Sequence, residues 1–333
     1  MASVGIIANP ASGRDIRRLV AHGSVFDNNE KANIVRRVIL GLNAIGIDDV
    51  LLMPDGFGIG RRALKHLKLK LNAAFLDMPA RFDQTDSTRA AQAMREAGVG
   101  CIVTLGGDGT NRVVAKGCGD VPLVPISTGT NNVFPVMIEG TIAGLAAGVV
   151  AAGIVDDGQV VQQTRRLEVC RNDQVVDIAL VDVAVYDDLF VASRAIWDMS
   201  KVRAVVLTRA EPGNIGLSSI GGNLQAQPAN SRQGLFLRMG DNGRPVLAAV
   251  APGLVQQVRI AGHRLLSSGD MVPVTDHPSI LALDGEREIQ VHARDEFFIR
   301  LSTNGPRVVD VPAALAAAAA SGFFLGDEPA PIE

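Results

Sequence analysis

Residues Cys101–Thr110 read CIVTLGGDGT, an apolar run followed by a turn of small residues around one carboxylate. The run is short and apolar, which is typical of a buried strand. Glycines let the backbone approach a bulky anion closely, and free N–H groups in such a turn can form an anion-binding nest. Asp108 beside phosphates is useful if it binds a metal or takes a proton from an attacking hydroxyl. A tight strand-to-helix turn with Asp108 as N-cap is the alternative.

Two further strand-and-loop units lie in the first part of the chain. Ser3–Ala8 (SVGIIA) is followed by the loop NPASG, and Val121–Ile126 (VPLVPI) is followed by the loop STGTNN. Loops at the carboxyl ends of parallel strands meet at one sheet edge, where open α/β sheets bind ligands. Each loop alone could be an ordinary turn. Together the three loops predict a phosphate-binding edge.

The motifs NPASG, GGDGT and GTNNVF, in this order, resemble the nucleotide-binding half shared by NAD kinases and the diacylglycerol and sphingosine lipid kinases. Asp284-Gly285-Glu286, within ILALDGERE, is similar to the Asp-Gly-Glu segment in the distal half of those enzymes. The stretches LVAHGSVFDNNEKANIVRRV and GNIGLSSIGG most resemble the NAD-kinase-like (ATP-NAD kinase) branch encoded with acetoin-catabolism genes.

The resemblance implies an ATP- and Mg²⁺-dependent phosphotransferase acting on a hydroxyl acceptor, with NAD as the leading candidate. It implies that Asp108 activates the acceptor hydroxyl or holds the metal. It assigns nucleotide and phosphate binding to Asn9, Ser12, Gly13, Gly106, Gly107, Gly109, Thr110, Thr128, Gly129, Thr130 and Asn131. On the acceptor side it places Asp182, Gly221, Gly222, Asp284 and Glu286. Asp284 and Glu286 are also its candidate Mg²⁺ ligands.

The acceptor region departs from both subfamilies. The Thr-Gly-Ser-Thr-Ala-Tyr segment that NAD kinases use for the dinucleotide is missing, and Val181-Asp182 stands where they carry Asn-Glu. Lipid kinases show Asn-Glu-Val after GGDGT, whereas this chain has Asn111-Arg112-Val113. A diacylglycerol-type lipid kinase and a non-catalytic nucleotide-binding regulator therefore stay open as alternative functions.

The order of elements predicts an α/β protein with two domains. Short apolar runs alternate with helical segments such as Glu30–Leu42 and Asp86–Ala97, which indicates a Rossmann-like parallel sheet over residues 1–153. Residues 156–304 are rich in β-type segments separated by turn residues and predict a largely antiparallel substrate domain. We expect residues 305–333 to pack back on the first domain, with a helix over Ala313–Ala320 after Pro312.

Composition restricts the partners and the compartment. The 333 residues include 32 Lys and Arg against 35 Asp and Glu without a basic block, which disfavours nucleic acid and anionic membranes. The three cysteines (Cys101, Cys118 and Cys170) are widely spaced, and no basic segment suggesting a signal peptide opens the chain, so we expect a reduced, cytoplasmic protein. Thr141–Gly153 is too short to span a bilayer and predicts a buried helix. The resemblance adds the expectation of a homo-oligomer.

Three polar features have competing interpretations. Gly213–Asn223 is the longest glycine-rich stretch outside the first domain, and it predicts either an acceptor-binding loop or a surface loop. His22 and Asp27 belong to a polar insertion that could cover the nucleotide or lie in solvent. At most one of Arg165 and Arg166 could contact a phosphate, because neighbouring side chains on a strand face opposite ways.

Overall fold

A computed structural model of the protein describes residues 1–12, 22–24, 26–188 and 198–325. Strands and helices alternate in its first part: β1 (Ser3–Ala8), α1 (Asn28–Ala44), β2 (Asp49–Leu52), α2 (Ile59–Leu64), β3 (Asn72–Phe75), α3 (Thr85–Glu96), β4 (Cys101–Gly106), α4 (Asp108–Ala115), β5 (Leu123–Ser127) and α5 (Gly140–Ala151). The strands lie in the order β3-β2-β1-β4-β5, and all neighbours are parallel. The predicted parallel sheet is confirmed.

Helices cover this sheet so closely that its central strands are buried on both faces. Every residue of β4 is buried, which explains why that segment reads as a continuous apolar run. On one face, α1 and α5 pack backbone against backbone. A Cβ on Gly144 would lie 2.3 Å from the carbonyl oxygen of Val38, and one on Gly41 would lie 2.6 Å from that of Thr141. The buried helix predicted for Thr141–Gly153 is confirmed.

The second part of the chain is mainly antiparallel. Its elements are α6 (Asp157–Val160), β6 (Val161–Gln163), β7 (Arg166–Arg171), β8 (Gln174–Ala179), β9 (Asp182–Tyr186), a short 3-10 turn (Met199–Lys201), β10 (Val202–Leu207), α7 (Leu217–Leu224), β11 (Gly234–Ala251), β12 (Leu254–Leu266), β13 (Met271–Pro273), β14 (Ser279–Leu283), β15 (Glu286–Val291), β16 (Phe297–Ser302), β17 (Arg307–Val309) and α8 (Val311–Ala320). One sheet has the order β12-β11-β10-β9-β14-β15, and the other has the order β13-β16-β7-β8.

These two antiparallel sheets share a core. Along β9, Val183 and Val185 enter the cluster formed with β7 and β16, whereas Ala184 and Tyr186 enter the cluster on the opposite face. This alternation is the period of two that a strand imposes on its side chains. The opposite face of the larger sheet is covered by α7, which contributes residues to the second cluster.

The glycine-rich stretch Gly213–Asn223 differs from the prediction of a loop, because most of it forms α7. Leu217 and Ile220 are one helical turn apart, and both are buried in the core against β10 and β11. The sheet supplies the apolar surface that stabilises a helix in spite of its glycines. Propensity alone disfavours a helix here, since each interior glycine costs about 1 kcal/mol relative to alanine.

The described C-terminal residues return to the first sheet. β17 pairs in parallel with β5, and β6 pairs with β17 in the antiparallel sense. β6 thus belongs to the first sheet, although it follows the change of texture near residue 156. Helix α8 is capped by Asp310, whose Oδ1 accepts the N–H of Ala313 at 3.0 Å, and Ala314 and Ala318 are buried against the first domain. No helix within the described ranges is both long and apolar enough to cross a membrane.

Candidate functional site

The loops that follow β1, β4 and β5 meet at the carboxyl edge of the parallel sheet. The strand order reverses between β1 and β4, so a crevice opens between the ends of these two strands. There, Asn9 Nδ2 donates to Thr110 Oγ1 at 3.0 Å. The hydroxyls of Ser12 and Thr128 lie 3.2 Å apart, and the N–H of Thr128 donates to the carbonyl of Gly106 at 3.3 Å. Direct hydrogen bonds therefore join the three predicted phosphate loops.

Two glycines of the GGDGT turn are required by space. A Cβ on Gly106 would lie 2.4 Å from the side chain of Thr110, and one on Gly107 would lie 2.5 Å from Asn132 Oδ1. Neither glycine has a positive φ, so close packing rather than the left-handed backbone region is what requires glycine here. Their role is to let neighbouring side chains pack directly on the turn.

Asp108 opens α4, and the loop after β5 holds its carboxylate. Gly107 is the N-cap residue, so the alternative that makes Asp108 the N-cap is wrong. Oδ1 accepts the N–H of Phe134 at 2.7 Å and that of Val133 at 3.0 Å, and Oδ2 accepts the latter at 3.1 Å. These donors and the helix N-terminus favour the anionic carboxylate. The position of this negative charge is therefore well defined.

A cleft of about 440 Å³, counted with the space open to solvent, extends from Asp108 into the second domain. Its carboxylates are Asp108, Asp182 and Asp284. The other lining residues are Asn131, Val133, Met199, Ile215, Gly216, Leu217, Val250 and Gly285. Both halves of the chain thus contribute to one concave site, with the acidic groups gathered where the halves meet.

Asp284 reaches the cleft from a two-residue hairpin turn between β14 and β15. Asp284 and Gly285 have φ values of 51° and 79°, which such a turn requires and which Asp-Gly adopts readily. The carboxylate accepts the N–H groups of Leu180 at 3.0 Å, Val181 at 2.7 Å and Asp182 at 3.3 Å. The turn therefore positions both Asp284 and the start of β9, which carries Asp182.

The environment of Asp284 makes its charge depend on pH. Burial raises the pKa of Asp284 to about 6, with a further rise from Asp108 and an opposing effect of Arg112 and the backbone donors. The folded state therefore holds this proton more tightly than the unfolded chain does. It follows that the contribution of Asp284 to the free energy of unfolding is largest below about pH 4 and falls by about 3 kcal/mol as the pH rises through 6.

We expect the Asp284→Asn variant to lack this pH-dependent fall in the free energy of unfolding. Between about pH 4 and pH 7, the variant should therefore gain up to about 3 kcal/mol in free energy of unfolding relative to wild type, since asparagine does not ionise. Urea unfolding of both proteins at several pH values in this window measures the difference. A difference that does not change with pH would contradict the raised pKa.

The carboxylates of the cleft do not make a metal site by themselves. The Asp284 side chain is completely shielded from solvent, and it already accepts three backbone N–H groups. In the part of the chain that the structure describes, no group of three or more metal-ligating side chains occurs. Asp284 therefore does not fit the Mg²⁺ ligand role that the resemblance implies. Mg²⁺ usually binds through one or two carboxylates together with substrate phosphates.

Glu286 lies across from the GGDGT turn. A Cβ on Gly109 would lie 3.2 Å from Glu286 Oε1, so glycine at that position leaves room for the carboxylate. Gln84 Nε2 donates to Oε2 at 3.4 Å. The hairpin of the second domain therefore places an acidic group directly against the phosphate loop of the first domain.

Comparison with known proteins agrees with this two-part construction. Residues 4–154 match the ATP-NAD kinase N-terminal domain, and residues 165–304 match the acetoin catabolism protein X C-terminal domain. The chain is 38% identical over 326 residues to acetoin catabolism protein X of Cupriavidus necator, which covers 94% of this chain and 91% of that protein. The chain belongs to the acetoin catabolism protein X family. Its cleft combines NAD-kinase-like loops with a second domain characteristic of this family, and that domain carries Val181-Asp182, one of the departures noted in the acceptor region.

In this member of the family, Arg112 links the two domains at the site. Its side chain is 2% exposed and lies 3.0 Å from Glu288, 3.4 Å from Asp177 and 3.9 Å from Asp284. Burial by itself would lower the pKa of Arg112, but the surrounding carboxylates raise it. In the sequence, Arg112 stands out only as a departure from a motif. Its role at the site could have been predicted from its position in α4, four residues after Asp108.

Two other cations near the loops, Lys31 and Arg209, were not predicted from the sequence. Lys31 is 1% exposed, and its Nζ donates to the carbonyl oxygens of Asn9 at 3.0 Å and Ser12 at 2.9 Å, which supports the first loop. Arg209 lies over the ring of Phe134, with its guanidinium carbon 5.1 Å from the ring centroid. Burial lowers the pKa of Arg209, and nearby carboxylates oppose this. Lys31 could have been identified from the sequence as a charged residue on the apolar face of α1.

The remaining residues that the resemblance assigns to nucleotide binding differ in their positions and contacts. Gly13 lies outside the described residues. Thr130 Oγ1 accepts the N–H of Ser24 at 3.0 Å, and the carbonyl of Gly129 accepts the hydroxyl of Ser127 at 2.8 Å. Asn131 lines the cleft. The loop after β5 is thus braced by its own hydrogen bonds and presents Asn131 beside Asp108.

Gly221 and Gly222 do not take the acceptor-side position expected for them. A Cβ on Gly221 would lie 2.5 Å from Leu207 Cδ1, and one on Gly222 would lie 2.2 Å from the carbonyl carbon of Glu211. Both glycines therefore allow α7 to pack against its surroundings, and α7 presents Leu217 to the cleft instead. The expectation is wrong because the stretch forms a helix rather than a loop.

We expect Gly222→Ala to lower the free energy of unfolding by about 1–3 kcal/mol, since the new methyl group would force the backbone at residue 211 to move. Gly213→Ala is the matched control. Nothing lies within 4 Å of a Cβ at Gly213, and its φ is not positive. The control should change stability by less than about 0.5–1 kcal/mol. Equal urea midpoints for the two variants would contradict the packing role.

The paired arginines after residue 164 are used within the second domain. Arg165 donates to backbone carbonyls of residues 228, 229 and 233, and Arg166 pairs with Glu168. Glu168 is also paired with Arg300 on the adjacent strand. Both arginines thus have partners within the second domain. In this arrangement, neither makes the phosphate contact that was considered for one of them.

The described part of the polar insertion joins the two halves of the chain. Asp27 caps α1 by accepting the N–H groups of Asn29 at 2.9 Å and Glu30 at 2.8 Å. The N–H of His22 donates to the carbonyl of Pro252, in the turn between β11 and β12, at 3.0 Å. Asp27 thus has a structural role, and His22 contacts the second domain.

Proposed function

We propose that this protein is an ATP-dependent phosphotransferase of the NAD-kinase-like type that acts on a hydroxyl acceptor. The observation that supports this most directly is the geometry of Asp108. Its carboxylate is anchored by backbone N–H groups of Val133 and Phe134 and lines a cleft shared by both domains. The hydrogen-bonded phosphate loops beside it support binding of a triphosphate on the side of the first domain.

In the proposed reaction, the acceptor hydroxyl donates a hydrogen bond to Asp108. The hydroxyl oxygen attacks the γ-phosphorus, the bond between that phosphorus and the β–γ bridging oxygen breaks, and ADP leaves. The hydroxyl proton passes to the Asp108 carboxylate. Catalysis of phosphoryl transfer is mainly positioning and charge stabilisation. Asn9, Ser12, Thr110 and Thr128 are the side chains proposed to position the triphosphate.

ATP is proposed to bind as its Mg²⁺ complex, in which the ion neutralises phosphate charge. Of the two carboxylates that the resemblance implies as ligands, Glu286 is retained in this proposal because it lies against Gly109. Asp284 is instead proposed to organise the acceptor side through its backbone hydrogen bonds.

The first test is a coupled assay of the purified protein with ATP, Mg²⁺ and NAD that follows NADP formation. NAD is the reference acceptor because the first domain is NAD-kinase-like, and the name of the C. necator relative adds acetoin catabolism as the proposed physiological context. ADP formation that depends on an acceptor would support a phosphotransferase. Tight ATP binding without transfer to any acceptor would contradict it and favour a nucleotide-binding regulator. Gel filtration of the same sample tests the proposed homo-oligomer.

A further inference from the structure

One set of the residues that line the cleft forms an apolar wall. Its members all come from the second domain: Met199, Ile215, Leu217 and Val250. We infer that the acceptor is a small, uncharged aliphatic compound whose hydroxyl binds at Asp108 and whose carbon skeleton packs on these four side chains. This inference rests on the proposed phosphotransfer and specifies the class of its acceptor.

The apolar wall is assembled from separate segments of the fold. Met199 comes from the 3-10 turn, Val250 from the end of β11, and Leu217 is the first residue of α7. Ile215 and Leu217 both line the cleft. Gly216 between them has a φ of 74° and a ψ of −150°. The N–H of Gly216 donates to the carbonyl of residue 249 at 2.9 Å, which fixes this turn of the backbone. Such a wall stabilises a bound aliphatic skeleton by removing its CH₂ groups from water.

The charges of the cleft favour an uncharged acceptor. Asp108, Asp182 and Asp284 all line it, and Asp182 and Asp284 are 7% and 4% exposed. Its described lining residues include no lysine, arginine or histidine, but the buried Arg112 and Arg209 lie beside Asp284 and Asp108 and offset part of the charge, which leaves three carboxylates against these two arginines. An anionic acceptor such as a pyrophosphate-bearing dinucleotide would place like charges together at low dielectric, where their repulsion is strong. A hydroxyl group, by contrast, can donate a hydrogen bond to a carboxylate.

The size of the cleft favours a compound of few carbon atoms. Its enclosed volume is only about 40 Å³, because the figure of about 440 Å³ also counts space that is open to solvent. A neutral glycerolipid also carries a free hydroxyl on an aliphatic body. It is therefore the alternative acceptor that the experiment must distinguish from a small compound. Butane-2,3-diol, 3-hydroxybutan-2-one and glycerol are suitable small probes, and diacylglycerol in phosphatidylcholine vesicles is the lipid probe.

The experiment measures ADP release by the full chain with ATP, Mg²⁺ and each probe, with NAD as a further arm. We expect turnover with the small probes and none with vesicles or NAD. In Ile215→Asp and Val250→Asp, the KM for the best small probe should rise about 10- to 200-fold, with the KM for ATP nearly unchanged. Leu247→Asp is the matched control, because Leu247 lies on the same strand as Val250 and is 63% exposed. Thermal melts identify any variant that fails to fold.

The outcomes separate this inference from the proposed function. Transfer to NAD alone, or to diacylglycerol alone, would overturn the inference while leaving the phosphotransferase intact. If no acceptor is phosphorylated, saturation-transfer NMR with a non-hydrolysable ATP analogue tests the wall directly. Methyl signals of butane-2,3-diol that are saturated by the wild type and lost with Val250→Asp would support the inference. Absence of saturation with the wild type would overturn it.

Discussion

Replacing Asp108 with asparagine is expected to lower kcat by about 10²- to 10⁴-fold, the usual contribution of a positioned general base. The amide cannot take the proton of the acceptor hydroxyl, and it removes the negative charge that orients this hydroxyl. The dissociation constant for ATP should change little, because the phosphate loops bind the triphosphate through other groups. Turnover at saturating ATP and acceptor, together with calorimetric titration of ATP, separates the two effects.

The asparagine would also disturb the fold locally. The carboxylate accepts the N–H of Val133 with both oxygens and that of Phe134 with one, so an amide NH₂ would face a donor at a cost of about 1–3 kcal/mol. Asp86→Asn is the matched control, because Asp86 is buried and accepts the N–H groups of Arg81 and Phe82. It should lose comparable stability and keep wild-type turnover. If Asp108→Asn also keeps wild-type turnover, Asp108 is structural.

Replacing Arg112 with methionine is expected to lower the free energy of unfolding by about 3–5 kcal/mol. The change leaves Glu288 and the fully shielded Asp284 without the guanidinium that neutralises them, whereas Asp177 keeps its ion pair with Lys116 at 2.6 Å. For a chain of 333 residues, with an unfolding entropy of about 2.1 cal/mol/K per residue, this loss should lower the melting temperature by roughly 4–7 °C. Thermal unfolding followed by circular dichroism measures the effect. Because the arginine joins α4 to the second domain, turnover should fall as well.

Arg238→Met provides the comparison for Arg112. The pair of Arg238 and Asp276 lies on the surface, with 42% of the arginine side chain exposed, so its loss should cost no more than about 1 kcal/mol. Adding Asp284→Asn to Arg112→Met should restore part of the lost stability, since it removes one of the uncompensated charges. Equal melting temperatures for the two single arginine variants would refute the role of the buried cluster.

Much of the first domain was predictable because its signals are local. An apolar run identifies Ser3–Ala8 as a strand with the bounds that the structure shows, and alternation with helical segments identifies the parallel sheet. The parallel connection rule then brings the loops after β1, β4 and β5 to one edge. The hydrogen bond between Asn9 and Thr110, 101 residues apart in the chain, realises this juxtaposition.

The second domain was predictable only as a class. Its β-rich texture is local, but the glycine-rich stretch that becomes α7 is helical because Leu217 and Ile220 find a sheet to pack on. Gly222 consequently faces the backbone of residue 211 rather than a ligand. The core that stabilises this helix comes from distant strands, and no window of sequence around residue 220 contains that information.

The parallel sheet, the three small-residue loops and the place of Asp108 among them are predictable from the sequence. These depend on periodicity, turn chemistry and the topology of parallel strands, which act over short stretches of chain. The shielding of Asp284, its contact with Arg112 and the presence of apolar second-domain residues in the same cleft as Asp108 follow only from the tertiary structure. Burial, pKa and cleft lining depend on contacts between residues far apart in sequence, and such contacts exist only once both domains have packed together.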